Sequence, residues 1–151
     1  MLRQAFADRL KQALKGRDAR TVSTVRLILA ELKNRDIAAR GEGNADGLSE
    51  AEIHRMLQTM IKQRRESIAL YEQGKRVDLA DQERAEIAVI ETFQPRQFSH
   101  GEIETAVTTV ITEIGAAGIK DMGKIMAVLR ERYPGVIDLA QASPVVKRLL
   151  G

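Results

Sequence analysis

The 151-residue chain has no cysteine and no tryptophan, only three prolines, and 3% aromatic residues. Without cysteine, disulfides and thiolate zinc sites are excluded, and so is a thiol nucleophile. With so few rings, the core must be built from Leu, Ile, Val, Ala and Met. Base stacking is then a poor route to any nucleic-acid partner. No stretch approaches the roughly 18 apolar residues of a membrane span, so no membrane partner is expected. The N-terminal Met1-Leu2-Arg3-Gln4 lacks an apolar signal core, and the expectation drawn from this is a cytoplasmic protein. Neither an H-E-x-x-H helix, a P-loop nor a serine elbow occurs, so no catalytic residue, metal ligand or cofactor is assigned. His54 and His100 fall at helix starts, where exposed residues without a role are expected.

What the chain does have is helix-forming material. Hydrophobic residues make up 44% and charged residues 30%, the balance of a globular protein rather than a disordered one. The net charge of +3 is unevenly spread. Residues 1–40 hold ten Lys/Arg against four Asp/Glu, residues 41–94 seven against eleven, and residues 95–151 seven against six. Either the basic arm and the acidic middle pack together and neutralise each other, which is the expectation, or the arm is a nucleic-acid footprint.

Periodicity predicts helices throughout. Leu2, Phe6, Leu10 and Leu14 form an i, i+4 stripe that Gly16 should end. A second helix, capped by Asp18 or Thr21, carries Val22, Val25, Ile28, Leu29 and Leu32 to about Ala39. After a glycine-rich loop (41–47), Ser49-Glu50-Ala51-Glu52 reads as a capping box with Leu48 and Ile53 as its staple. That helix ends at Gly74, and a fourth runs from about Asp78 to Phe93. Pro95 breaks the pattern. Ser99-His100-Gly101-Glu102 is a second capping box, opening a helix that Gly115 ends. A sixth helix begins in the Lys120–Met126 segment and reaches about Arg132, and Ser143-Pro144 should cap a short last one. No segment alternates long enough to be a strand. The expected fold is all-α in two parts: a four-helix N-terminal region (residues 1–94) and a small three-helix domain (residues 95–151).

Two basic sites stand out. Lys120 and Lys124 lie one helical turn apart beside Gly123, and Arg130, Arg132, Lys147 and Arg148 extend the patch if the last helices are adjacent. Lysines beside free amides at a helix N-terminus suit phosphate, whereas an ordinary solvated face partly neutralised by Asp121 is the bland alternative. Arg64 falls on the apolar face of Leu57, Ile61, Ile68 and Tyr71. A charge there calls for a carboxylate partner, Glu83 or Glu86, while the alternative has Arg64 and Arg65 holding an anion. Gly115-Ala116-Ala117-Gly118 has the spacing of a KH-domain loop, but without strands it reads as a helix end and a turn.

Lys62-Gln63-Arg64-Arg65-Glu66-Ser67, the Ala85–Ile90 helix ending at Phe93-Gln94-Pro95, and Lys120-Asp121-Met122-Gly123-Lys124-Ile125-Met126 closely resemble YqeY members of the GatB/YqeY family. The resemblance covers essentially the whole chain. It implies that residues 95–151 are similar to the tail domain of the B subunit of the glutamine-dependent tRNA amidotransferase. In that subunit the tail contacts tRNA while a separate domain performs the chemistry. The carried-over positions are Met122, Gly123 and Lys124, with Lys120 just before them. A departure follows the sixth helix, where Pro134-Gly135-Val136-Ile137-Asp138 stands in place of a glycine-basic-Ala-Asp turn. The implied function is a non-catalytic accessory protein that binds tRNA or structured RNA by phosphate contacts, with DNA not expected. Alternatives are an adaptor for an amidotransferase or aminoacyl-tRNA synthetase, and a partner-dependent carbon–nitrogen ligase component using glutamine.

Overall fold

The apolar periodicities resolve into seven α-helices and one 3₁₀ turn, with no strand, in a computed structural model that describes residues 1–151. In chain order these are α1 (Leu2–Lys15), α2 (Ala19–Gly41), α3 (Glu50–Gln73), α4 (Val77–Glu91), α5 (His100–Ile114), a 3₁₀ turn (Ile119–Asp121), α6 (Met122–Arg132) and α7 (Leu139–Leu150). The chain divides into two compact units, Met1–Gln94 and Pro95–Gly151.

In unit 1, α1 packs on α2, α2 on α4, and α3 on α4. Phe6, Val25, Ile28, Ile53, Met56, Leu57 and Ile90 are fully enclosed at the centre. The ring of Phe6 meets Phe93 edge to face, with centroids 4.8 Å apart. Leu14 leaves the stripe that begins at Leu2 and is 51% exposed, while Ala13 is buried in its stead. The cause is geometric. Each step of four residues turns 400°, so three steps carry Leu14 about 120° away from Leu2.

Helix ends follow local chemistry. Ser49 accepts from the Glu52 amide while the Glu52 carboxylate accepts from the Ser49 amide, and Leu48 packs on the core beside Ile53. Asp18, not Thr21, caps α2, accepting from both the amide and the hydroxyl of Thr21. Two glycines behave unlike simple left-handed caps. Gly16 and Gly74 stay right-handed, and the following residues Arg17 (φ 54°) and Lys75 (φ 59°) take the left-handed position. The Asp18 amide then reaches the Ala13 carbonyl and the Arg76 amide reaches that of Tyr71, closing both helices.

In unit 2, α5, α6 and α7 pack mutually around Ile103, Val107, Val110, Ile125, Leu129, Ile137 and Val146. Ser99 and Glu102 form the second capping box, and Gly115 (φ 70°) ends α5 in the left-handed region. The last helix starts earlier than Ser143-Pro144 suggests. Asp138 accepts from the Ala140 amide and opens it at Leu139, which leaves Pro144 inside the helix. That proline is tolerated because it and Ala140, whose carbonyl it deprives of a donor, both lie on the solvent side.

Candidate nucleic-acid interface

The basic segment of unit 2 is not one continuous helix start. The 3₁₀ turn carries Lys120, and α6 follows at once with Gly123 and Lys124 in its first turn. Neither element has a side-chain cap at its N-terminus. Asp121 makes no ion pair with either lysine, and its carboxylate accepts from the Ala117 amide at 3.0 Å. Lys120, Gly123 and Lys124 are all exposed, and a Cβ added at Gly123 would meet open space.

Other members of the patch separate into free and engaged groups. Arg132 is held by Glu113 at 2.7 Å, and Arg148 by Glu104. These guanidiniums hold both carboxyls below the usual carboxylate range. Lys120, Lys124, Arg130 and Lys147 have no carboxylate within ion-pair distance. Arg130 lies six residues beyond Lys124, hence about 9 Å along α6 and about 120° around it. It therefore faces elsewhere. Lys147 is closer in placement, because a Cβ on the neighbouring Gly151 would stand 3.5 Å from Ile119 Cδ1, setting the end of α7 beside the 3₁₀ turn. The structure thus gathers Lys120, Gly123 and Lys124, with the last turn of α7 alongside, and leaves Arg130 and Arg132 at the other end of α6.

Arg64 takes the carboxylate partner that its half-buried position calls for. Its Nε donates to Glu86 at 2.9 Å, Glu83 stands 4.0 Å away, and Nη1 donates to the Met60 carbonyl. Arg65 is exposed and lies 3.8 Å from Glu91. Both arginines are occupied by carboxylates rather than presented to an anion. His54 also departs from expectation: it is half-buried, and its Nδ1 is enclosed without a partner.

The mutual neutralisation expected between the basic arm and the acidic middle is largely absent. The one ion pair joining them is the amino terminus with Glu50, 3.8 Å apart. Glu72, Asp78, Asp81, Glu83, Glu86 and Glu91 of α3 and α4 are taken by Arg64, Arg65, Arg76 and Arg84 of the same segment. Arg9, Lys11, Lys15, Arg17, Arg20 and Arg26, on α1, α2 and the turn between them, are left without an ion pair. The surplus of positive charge in residues 1–40 was the signal for this surface; which partners would answer it was not readable from charge counts.

A small, two-unit, all-helical protein with uncompensated cations on helix ends is the class that this geometry defines. Residues 3–150 match the family described as YqeY-like protein, and the chain belongs to that family. It is similar to the protein named altered inheritance of mitochondria protein 41, mitochondrial. The Lachancea thermotolerans relative is 32% identical over 107 residues, covering 70% of this chain and 55% of the relative. That from Kluyveromyces lactis is 29% identical over 112 residues, covering 73% and 58%. For Pyrenophora tritici-repentis the identity is 23% over 153 residues, covering 94% and 77%. The chain thus spans little more than half the length of the first two. These relatives are named as mitochondrial proteins, which overturns the cytoplasmic expectation. That expectation rested on a missing apolar signal core, which marks the secretory route alone; mitochondrial targeting segments are amphipathic and Arg-rich instead.

Proposed function

We propose that this protein is a non-catalytic accessory factor that binds tRNA, or an RNA of similar fold, through the Lys120–Lys124 end of α6. The observation that carries this reading is the pairing pattern of unit 2. Arg132 and Arg148 are held by carboxylates, whereas Lys120 and Lys124 are free beside an uncapped helix start. The positive end of the helix dipole favours phosphate there, and two unpaired ammonium groups add to the attraction. The open space at Gly123 lets a sugar-phosphate backbone approach closely. Recognition rests on phosphates and shape, since the chain has only five aromatic residues (three Phe, two Tyr) to stack on bases. The reading assigns no bond-making step to this chain. An amidotransferase or aminoacyl-tRNA synthetase would handle the same RNA.

The test is a salt titration of binding to bulk tRNA by the full chain and by a Lys120→Ala/Lys124→Ala variant. Binding should weaken linearly in log–log form, and the variant's slope should be shallower by about two. An Arg132→Ala variant should keep the wild-type slope. Absence of binding by the folded protein at low salt rules the reading out.

A further inference from the structure

The α1–α2 hairpin of unit 1 carries an apolar groove that the RNA reading does not use. Its volume is ≈ 640 Å³, its floor includes Leu14, Val22 and Leu27, and Arg17 and Arg26 stand at its edge. The α2 residues that line it (19, 22, 23, 26 and 27) share one helical face, beside the face that sends Thr24, Val25 and Ile28 into the core. Leu14 is 51% and Leu27 44% exposed, so two large aliphatic side chains meet solvent within one depression. Neither edge arginine has a carboxylate at ion-pair distance. Asp18, next to Arg17 in sequence, is committed to capping Thr21. Apolar floor and unanswered positive rim are therefore features of one site.

We propose that this groove docks an acidic amphipathic helix of a partner protein, its apolar side chains on Leu14, Val22 and Leu27 and its carboxylates against Arg17 and Arg26. Charge complementarity selects the occupant. A second copy laid symmetrically on the same hairpin would set basic faces against each other, which disfavours self-association there. RNA would satisfy the arginines and leave the aliphatic floor in water. A small apolar acid needs most of its surface enclosed, and this groove is open along its length. A helix seated in a groove uses both features, with anchors spaced about one turn apart.

The experiment measures anisotropy of a fluorescein-labelled synthetic peptide of about 18 residues, with Leu at i, i+4, i+7 and i+11 and Glu on the flanks. It uses the full chain, a Leu27→Ser variant and an Arg26→Glu variant, both at exposed positions. Saturable binding is expected, weakened roughly tenfold or more in each variant. It should be lost when Lys replaces every Glu of the peptide. In the wild-type chain, backbone amide NMR shifts on peptide addition should centre on residues 13–27, a readout that needs no variant to fold. The Lys120→Ala/Lys124→Ala variant should bind the peptide as the wild type does, so the RNA reading can fail while this one stands. The proposal is overturned if acidic and lysine peptides bind alike, or if shifts fall outside the hairpin. It is equally overturned if tRNA or phosphatidylglycerol vesicles, rather than the peptide, lose binding in the two variants.

Discussion

At the scale of single residues, unit 1 is tied together at Asp36. Its carboxylate accepts two hydrogen bonds from Arg3, at 2.7 and 2.9 Å, and one from the Leu48 amide at 2.9 Å. One side chain thus fixes the start of α1, the body of α2 and the turn that enters α3. The Arg3 bonds first, then the Leu48 amide, hold the Asp36 carboxyl down at about 2 against an ordinary 3.8. A lowered carboxyl contributes stability that is present above its unfolded value and disappears as pH falls through its folded one. Unfolding free energy should therefore drop by about 1–2 kcal/mol between about pH 4 and pH 2, discounted because the Arg3 side is solvent-exposed. Urea melts of wild type and Asp36→Asn across that range check it: the wild-type stability should fall towards the variant's, and parallel curves would refute the assignment. Gly47 shares the site. It holds φ +76°, and a Cβ there would sit 2.4 Å from Asp36 Oδ1. Gly47→Ala should accordingly cost about 2–4 kcal/mol, combining left-handed strain with displacement of the network. A melting temperature within a degree or two of wild type would show that the turn relaxes freely.

At the scale of elements, the α3–α4 pair is joined by an unequal ion cluster. Arg64 serves Glu86 closely and Glu83 at 4.0 Å, while burial, then repulsion from Glu86, pushes the Glu83 carboxyl up. A raised carboxyl is a group whose ionised form the fold disfavours, so its charge works against stability as pH rises through the folded value. Arg64→Ala should then cost about 2–4 kcal/mol by leaving two half-buried carboxylates together. Glu83→Gln should change stability at pH 7 by less than about 1 kcal/mol, in the stabilising direction. Thermal melts of the two variants side by side decide it, and a Glu83→Gln loss as large as that of Arg64→Ala would mean that Glu83 is a needed partner. Elements were legible in the sequence where one residue's chemistry decides them. The two capping boxes and the αL glycine at 115 are of this kind, and so is an arginine on an apolar face that demands an acid. Other features depend on sums that a linear reading does not form. The start of α7 was missed because Pro144 looked like a boundary, when the stronger signal was the cap at Asp138. Leu14 was misplaced because an i, i+4 count ignores the drift of the stripe around the helix. The candidate site was legible as residue types, but which of its arginines are engaged depends on Glu104 and Glu113, 44 and 19 residues away in sequence.

At the scale of the whole molecule, each unit closes its own core. The enclosed cluster of residues 2–90 and that of residues 103–146 draw no buried side chain from each other's segment. Fragment 1–94 should therefore fold alone, melting cooperatively with a helical spectrum. Fragment 95–151 has 57 residues and one small aliphatic cluster, in the size range where a domain buries only about 60% of its unfolded surface and is marginal. It should melt lower and with a broader transition. Circular dichroism of both fragments beside the intact chain tests this, and a non-cooperative melt of 1–94 would show that its core needs the second unit. The outcome bears on function directly. If both fragments fold, tRNA affinity should follow residues 95–151 and peptide affinity residues 1–94. The same chain would then hold an RNA and a protein at once, through two surfaces whose charges are of one sign but whose apolar content differs. Mixing the isolated fragments should reproduce each single affinity but form no complex holding both ligands, since only the covalent link puts the two surfaces on one molecule.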